Sequence, residues 1–133
     1  PGQTITLSNT LIASGASGAN CADGASTLGF ITSAGYNFSS EGTCAPHFNQ
    51  TGDVNNHDPN LGPLANYGGL TSTQPPSAPS LAIDAIPNGV NGCGATLATD
   101  QRGAPRPIHG LCDMGAVEVG WTYPQLWLPL VRR

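Results

Sequence analysis

A chain of 133 residues has room for one domain with a substantial core and is short for two. Only 9% of its residues are charged, none is a lysine, and the formal net charge is −4. Four arginines supply no basic patch, which excludes nucleic-acid binding. The small net charge argues against disorder, and the abundance of Ser, Thr, Asn and Gly matches exported all-β proteins with many turns.

The chain opens at Pro1-Gly2 without a methionine or a visible signal peptide, so a processed product or a piece of something longer is expected. Residues 3–13 begin with clean alternation: Ile5 and Leu7 fall on one face, Thr4, Thr6 and Ser8 on the other. Asn9 interrupts as a corner residue that tolerates left-handed geometry, and Leu11-Ile12-Ala13 resumes. Strand, corner and strand make one rung of a β-helix; a hairpin arm in a sandwich is the alternative. A second rung runs between Cys21 and Cys44, with a strand over 28–32, a turn at Ala34-Gly35 and renewed alternation over Tyr36-Asn37-Phe38-Ser39. Asn37-Phe38-Ser39 and Asn49-Gln50-Thr51 match the glycosylation sequon, read here as chance.

From residue 46 to 87 periodicity fades. Asp53, Asn55 and Asp58 space oxygen ligands as a calcium loop begins, but Asp58 stands where glycine is required and Leu64 where glutamate is. Turn-stabilising side chains are the simpler account; calcium is the secondary one, and no other cofactor is expected. Residues 71–80 carry Pro75, Pro76 and Pro79 and should be extended without ladder bonds. No segment shows a sustained helical stripe, and residues 64–67 offer at most one helical turn.

Four cysteines, Cys21, Cys44, Cys93 and Cys112, include no Cys-x-x-Cys pair, and the histidines lack zinc-ligand spacing. Three connectivities are open. The sequence-local one, Cys21–Cys44 with Cys93–Cys112, is expected because each pair brackets a compact segment; reduced buried thiols are the alternative. Oxidation would place the protein outside the cytoplasm, extracellular or at the cell surface.

Residues 98–118 concentrate Arg102, Arg106, Asp100, Asp113 and Glu118 on a frame of Gly103, Pro105, Pro107 and Gly110. Rare charges on such a frame read as an ordered structural cap, with Arg102 held by Asp100 or Asp113. A polysaccharide lyase would use Arg102 or Arg106 as its base. A glycosidase would need a pair from Asp84, Asp100, Asp113 and Glu118. No serine elbow, P-loop or paired histidine motif is present, and His47, His57 and His109 read as solvated. The expectation is therefore no enzyme.

Several ordered strings are shared with one family: Gly35-Tyr36-Asn37-Phe38-Ser39-Ser40-Glu41-Gly42-Thr43-Cys44, Asp58-Pro59-Asn60-Leu61-Gly62-Pro63-Leu64, Asn66-Tyr67-Gly68-Gly69, Ala82-Ile83-Asp84-Ala85, Asp100-Gln101-Arg102-Gly103, Arg106-Pro107, and Cys112-Asp113-Met114-Gly115-Ala116-Val117-Glu118. Together they resemble the C-terminal signature of the bacterial choice-of-anchor Q family, over roughly residues 3–119. The resemblance implies a right-handed parallel β-helix closed by a cap on a secreted or surface protein, with cysteines in similar places. It implies no reaction. Ser72-Thr73-Gln74-Pro75-Pro76 departs from the family, which has a histidine and a leucine pair there.

The expected architecture is all-β: β-helix rungs over 1–45, one or two in number, an irregular disulfide-tied cap over 46–119 closing one end, and a hydrophobic tail over 120–133. Ile5, Leu7, Leu11 and Ile12 are expected to face along the coil axis at the other end. The tail carries both tryptophans, Trp121 and Trp127, with Tyr123, Leu126, Leu128 and Leu130, and must cover apolar surface somewhere. Its longest apolar run, Leu126-Trp127-Leu128-Pro129-Leu130-Val131, is too short for a transmembrane segment. The function expected is an extracellular structural protein whose partners are other copies of itself, with a surface polysaccharide or the cell envelope as further partners. The alternatives are the cap of a larger secreted adhesin and a carbohydrate-active domain.

Overall fold

The computed structural model describes residues 3–13, 15, 17–22 and 29–122. Among them the chain is mostly strand and turn; helix is confined to two 3-10 turns, Gly42–Cys44 and Val90–Gly92. Strand β1 (Gln3–Leu7) pairs in parallel with β3 (Gly29–Ser33), placing Ile5 beside Ile31 and Leu7 beside Ser33. Strand β2 (Leu11–Ile12) pairs in parallel with β4 (Phe38–Ser39), and β4 with β5 (Val54–Asn55), so Leu11, Phe38 and Val54 form one row and Ile12, Ser39 and Asn55 the next. These short sheets form neither a closed barrel nor a closed solenoid among the described residues.

The corners are set by local chemistry. Asn9 has φ 54 and takes the left-handed bend between β1 and β2, and its N–H donates to Gly35 O in the corner beside it. Asn37 is fully buried and stitches its own segment to the β1–β2 segment: its Oδ1 accepts Thr10 N–H at 3.0 Å while its Nδ2 donates to Leu7 O at 3.0 Å. A buried amide with these bonds costs little; one without them would cost about 1–3 kcal/mol per orphaned group.

Successive strand residues point to opposite faces, and here the two faces serve different cores. Leu11, Phe38 and Val54 pack with Ala82, Ile86, Met114 and the Cys93–Cys112 disulfide. Leu7, Ile12 and Ile31 pack with Phe48 and the Cys21–Cys44 disulfide. Cap residues therefore lie against one face of the β2–β4–β5 sheet. This differs from the expectation of apolar side chains facing along the axis, because only the backbone points along the pairing direction. Leu7, Leu11 and Ile12 are half-buried in these cores, and Ile5 is 59% exposed.

Both expected disulfides are formed. Elsewhere the cap is short pairings. Strand β6 (Ile86–Pro87) meets β7 (Leu111–Cys112) antiparallel. Ala65 and Thr73 exchange N–H···O bonds of 3.1 and 2.9 Å, so residues 64–67 form part of an antiparallel ribbon and no helical turn. The proline segment also pairs, contrary to expectation. Pro75 cannot donate, but its carbonyl accepts Gly62 N–H at 2.8 Å.

Candidate functional site: the buried charges of the cap and the cleft beside the sheet

In the cap, the turn over residues 100–104 is built on the Asp100 side chain. Its Oδ1 accepts the N–H groups of Arg102 at 2.7 Å and Ala104 at 2.9 Å; its Oδ2 accepts Arg102 Nε at 2.9 Å and Glu118 N–H at 3.0 Å. Arg102 Nη2 also lies 2.8 Å from Oδ2 and donates to Glu118 O. Of the two partners expected for Arg102, the structure thus has Asp100. Gly69, at φ +79, lies so close that a Cβ there would sit 2.8 Å from Arg102 Cα.

Asp113 holds no arginine. Its oxygens accept Asp84 N–H at 2.7 Å and Val119 N–H at 2.6 Å. Arg106 instead faces Glu118, Nε 3.2 Å from Oε2, with its N–H not aimed at that oxygen, so the contact is Coulombic; its Nη2 donates to Gly115 O at 2.7 Å. Glu118 accepts Ile108 N–H and Asp113 N–H, each at 3.0 Å. The pairing of Glu118 with Arg106 has no signal in the sequence, because the fold that brings them together leaves no periodic pattern.

Burial raises the Asp113 and Glu118 carboxyls above their ordinary range, against the lowering effect of the amides that donate to them. Burial also acts on Asp100, but the amide of Glu118, the Arg102 side chain and two further amides together outweigh it, and its carboxyl is lowered. Asp100, Arg102, Asp113 and Glu118 are all buried. Their polar atoms are engaged by backbone groups and by one another.

Asp53, Asn55 and Asp58 are likewise engaged in three separate tasks. Asp53 accepts Asn37 N–H at 2.8 Å and Gln50 N–H at 2.9 Å. Asn55 donates to Phe48 O at 2.8 Å and leaves its own oxygen buried without a hydrogen bond. Asp58 Oδ1 accepts Asn60 N–H at 2.8 Å. No group of three or more His, Cys, Asp or Glu side chains that could hold a metal gathers among the described residues. Of the residues expected at an assembly surface, Ile5 is exposed, Leu7 and Trp121 are half-buried, and Tyr123, Leu126, Trp127, Leu128 and Leu130 lie outside the described residues.

Among the described residues a cleft of about 600 Å³ opens at the C-terminal ends of β2, β4 and β5. Its floor is Ala13, Ser40 and Asn56, the positions that directly follow the paired row Ile12–Ser39–Asn55. Asn56 has φ 57, and this left-handed residue turns the chain off the sheet so that His57, Asp58 and Pro59 form a wall. A smaller pocket of about 260 Å³ adjoins it, sharing Leu61 and Gln74 and lined further by Leu11, Met114 and Thr73. The Thr73 hydroxyl is buried there without a partner. In the sequence the run Asn55-Asn56-His57-Asp58-Pro59 reads as a turn, with calcium ligation by Asn55 and Asp58 as the secondary account.

Comparison of the chain with protein-family models, with curated proteins and with solved structures gave no match.

Proposed function

We propose that the chain is a non-enzymatic extracellular structural protein: a short right-handed parallel β-helix with a disulfide-tied cap, stacking head to tail on other copies of itself. One observation carries this reading, the side of the parallel sheets that is open among the described residues. β1 is outermost in its sheet and β2 in the other. Leu7 O accepts from Ala34, and the carbonyls of Thr10 and Ile12 accept from Phe38 and Ser40. By strand alternation the peptide groups of Thr4, Thr6 and Leu11 therefore point away from their paired neighbours. A row of such groups is a template for another strand.

A second copy would complete that edge through a heterologous contact, which repeats without closing and builds a filament or sheath. The alternating Leu126, Leu128 and Leu130 of the tail would add apolar cover at the junction. The resemblance to the choice-of-anchor Q family supports the same architecture, and two disulfides suit an oxidising compartment. A carbohydrate-active enzyme is the weaker reading, because both arginines that would serve as base are engaged inside the cap.

Light scattering and electron microscopy of the chain with and without residues 123–133 test the proposal. The intact chain should form extended polymers, and the shortened one should remain a folded monomer. Polymers of the shortened chain would remove the tail from the account. An intact chain that stays monomeric would favour the other reading, a cap on a longer surface adhesin.

A further inference from the structure

We infer that the cleft over Ala13, Ser40 and Asn56 is a binding site for a neutral saccharide. The inference does not rest on the assembly reading. Asn37, Asp53, Asp100, Asp113 and Glu118 each hold two or more main-chain groups and have little left for a ligand. At the cleft, exposed side chains keep polar atoms available. Among the described residues, the side chains of Asn56 and His57 make no hydrogen bond. Asp58 uses Oδ1 on Asn60 N–H and keeps Oδ2 unengaged. Gln74 donates its Nε2 to Gly62 O and keeps its carbonyl oxygen unengaged.

Four exposed residues with available polar atoms thus line one concavity, whose volume lies within the roughly 300–1,000 Å³ of small-molecule sites. Their chemistry is mixed: an amide that donates and accepts, an imidazole, a carboxylate oxygen and an amide oxygen. Vicinal hydroxyls both donate and accept, and match such a set. The half-buried Leu61 supplies apolar surface for the C–H face of a sugar ring. The lining carries one carboxylate and neither lysine nor arginine, and the whole chain is net negative, so an anionic sugar or a phosphate would be repelled. Glycoside cleavage takes a pair of carboxyl groups; with Asp58 alone among the described lining residues, the cleft holds its ligand and does not cut it.

The test is a nuclear magnetic resonance titration of the intact labelled chain with cellohexaose, maltohexaose, laminarihexaose and xylohexaose, and with hexagalacturonate as the charged counterpart. At least one neutral hexasaccharide should shift the side-chain amides of Asn56 and Gln74 and the ring of His57, and hexagalacturonate should not. His57→Ala and Asp58→Ala should each weaken that binding about tenfold, which corresponds to about 1.4 kcal/mol. Asp58→Asn retains the acceptor for Asn60 N–H and separates loss of the carboxylate from loss of the turn. It should also weaken binding, with an unchanged melting temperature. The inference is overturned if no neutral hexasaccharide moves these resonances, if hexagalacturonate binds as well, or if Asp58→Asn binds as tightly as the parent.

Discussion

Asp100 Oδ2 accepts the backbone N–H of Glu118 at 3.0 Å, and Arg102, clamped on that same oxygen, donates to the Glu118 carbonyl. One carboxylate and one guanidinium thus hold both main-chain groups of a residue sixteen or more positions away in the chain. The Glu118 side chain in turn fastens Ile108 and Asp113. The cap, poor in strands, is tied together at this point.

Arg102→Ala should destabilise the chain by about 3–5 kcal/mol, because the Asp100 charge would stay buried without its cation. Arg102→Lys should recover only part of this, since an ammonium cannot reproduce the guanidinium fork that joins Asp100 to the Glu118 carbonyl. Equilibrium denaturation of both variants measures the difference. Full stability in Arg102→Ala would refute the structural role.

The pH dependence of stability follows from the directions of the carboxyl shifts. Asp100 is lowered in the folded state, so its contribution is present above the ordinary carboxyl value and is lost as pH falls through the lowered one. Asp113 and Glu118 are raised, so the folded state binds more protons, and stability declines as pH rises from the ordinary value through the raised ones. With respect to these three groups, unfolding free energy should therefore peak near the ordinary carboxyl value and fall on both sides. Glu118→Gln should flatten the decline toward neutrality. A variant with the parent's slope there would assign that decline to other groups.

Much of this arrangement was legible in the chain. Ile5 and Leu7 alternate with threonines, Asn9 marks a corner, the cysteines pair locally, and Arg102 has its acid two residues away. What stayed hidden depends on register. Val54–Asn55 is a strand of two residues whose only signal is that it lies beside Phe38 and Ser39. The floor of the cleft joins Ala13, Ser40 and Asn56, which share no pattern until the rungs are stacked. The proline segment looked unable to pair because a sequence shows its missing donors and not its available carbonyls.

The two disulfides should act on different cores. Cys93 and Cys112 are about 1% exposed and pack with Phe38, so replacing both by serine removes a cross-link and places hydroxyls in the main cluster. The loss should be about 2–5 kcal/mol. Phe38→Ala should cost about 3–5 kcal/mol by opening a cavity in the same cluster. Because the groups touch, combining the changes should cost less than their sum, as thermal denaturation of the set would show. Strict additivity would mean the cluster is not one packed unit.

In the proposed filament, the edge of β1 and β2 that is open among the described residues receives a strand of the next copy. Thr6→Pro tests it most directly. The Thr6 N–H points away from β3, so proline removes a donor from the open edge and leaves the β1–β3 ladder bonds in place, as edge strands tolerate. Sedimentation velocity over a range of concentrations should show the parent chain growing into larger species and Thr6→Pro remaining a monomer with the parent's circular dichroism. A parent chain that stays monomeric at every concentration, or a Thr6→Pro chain that assembles equally well, would contradict the claim.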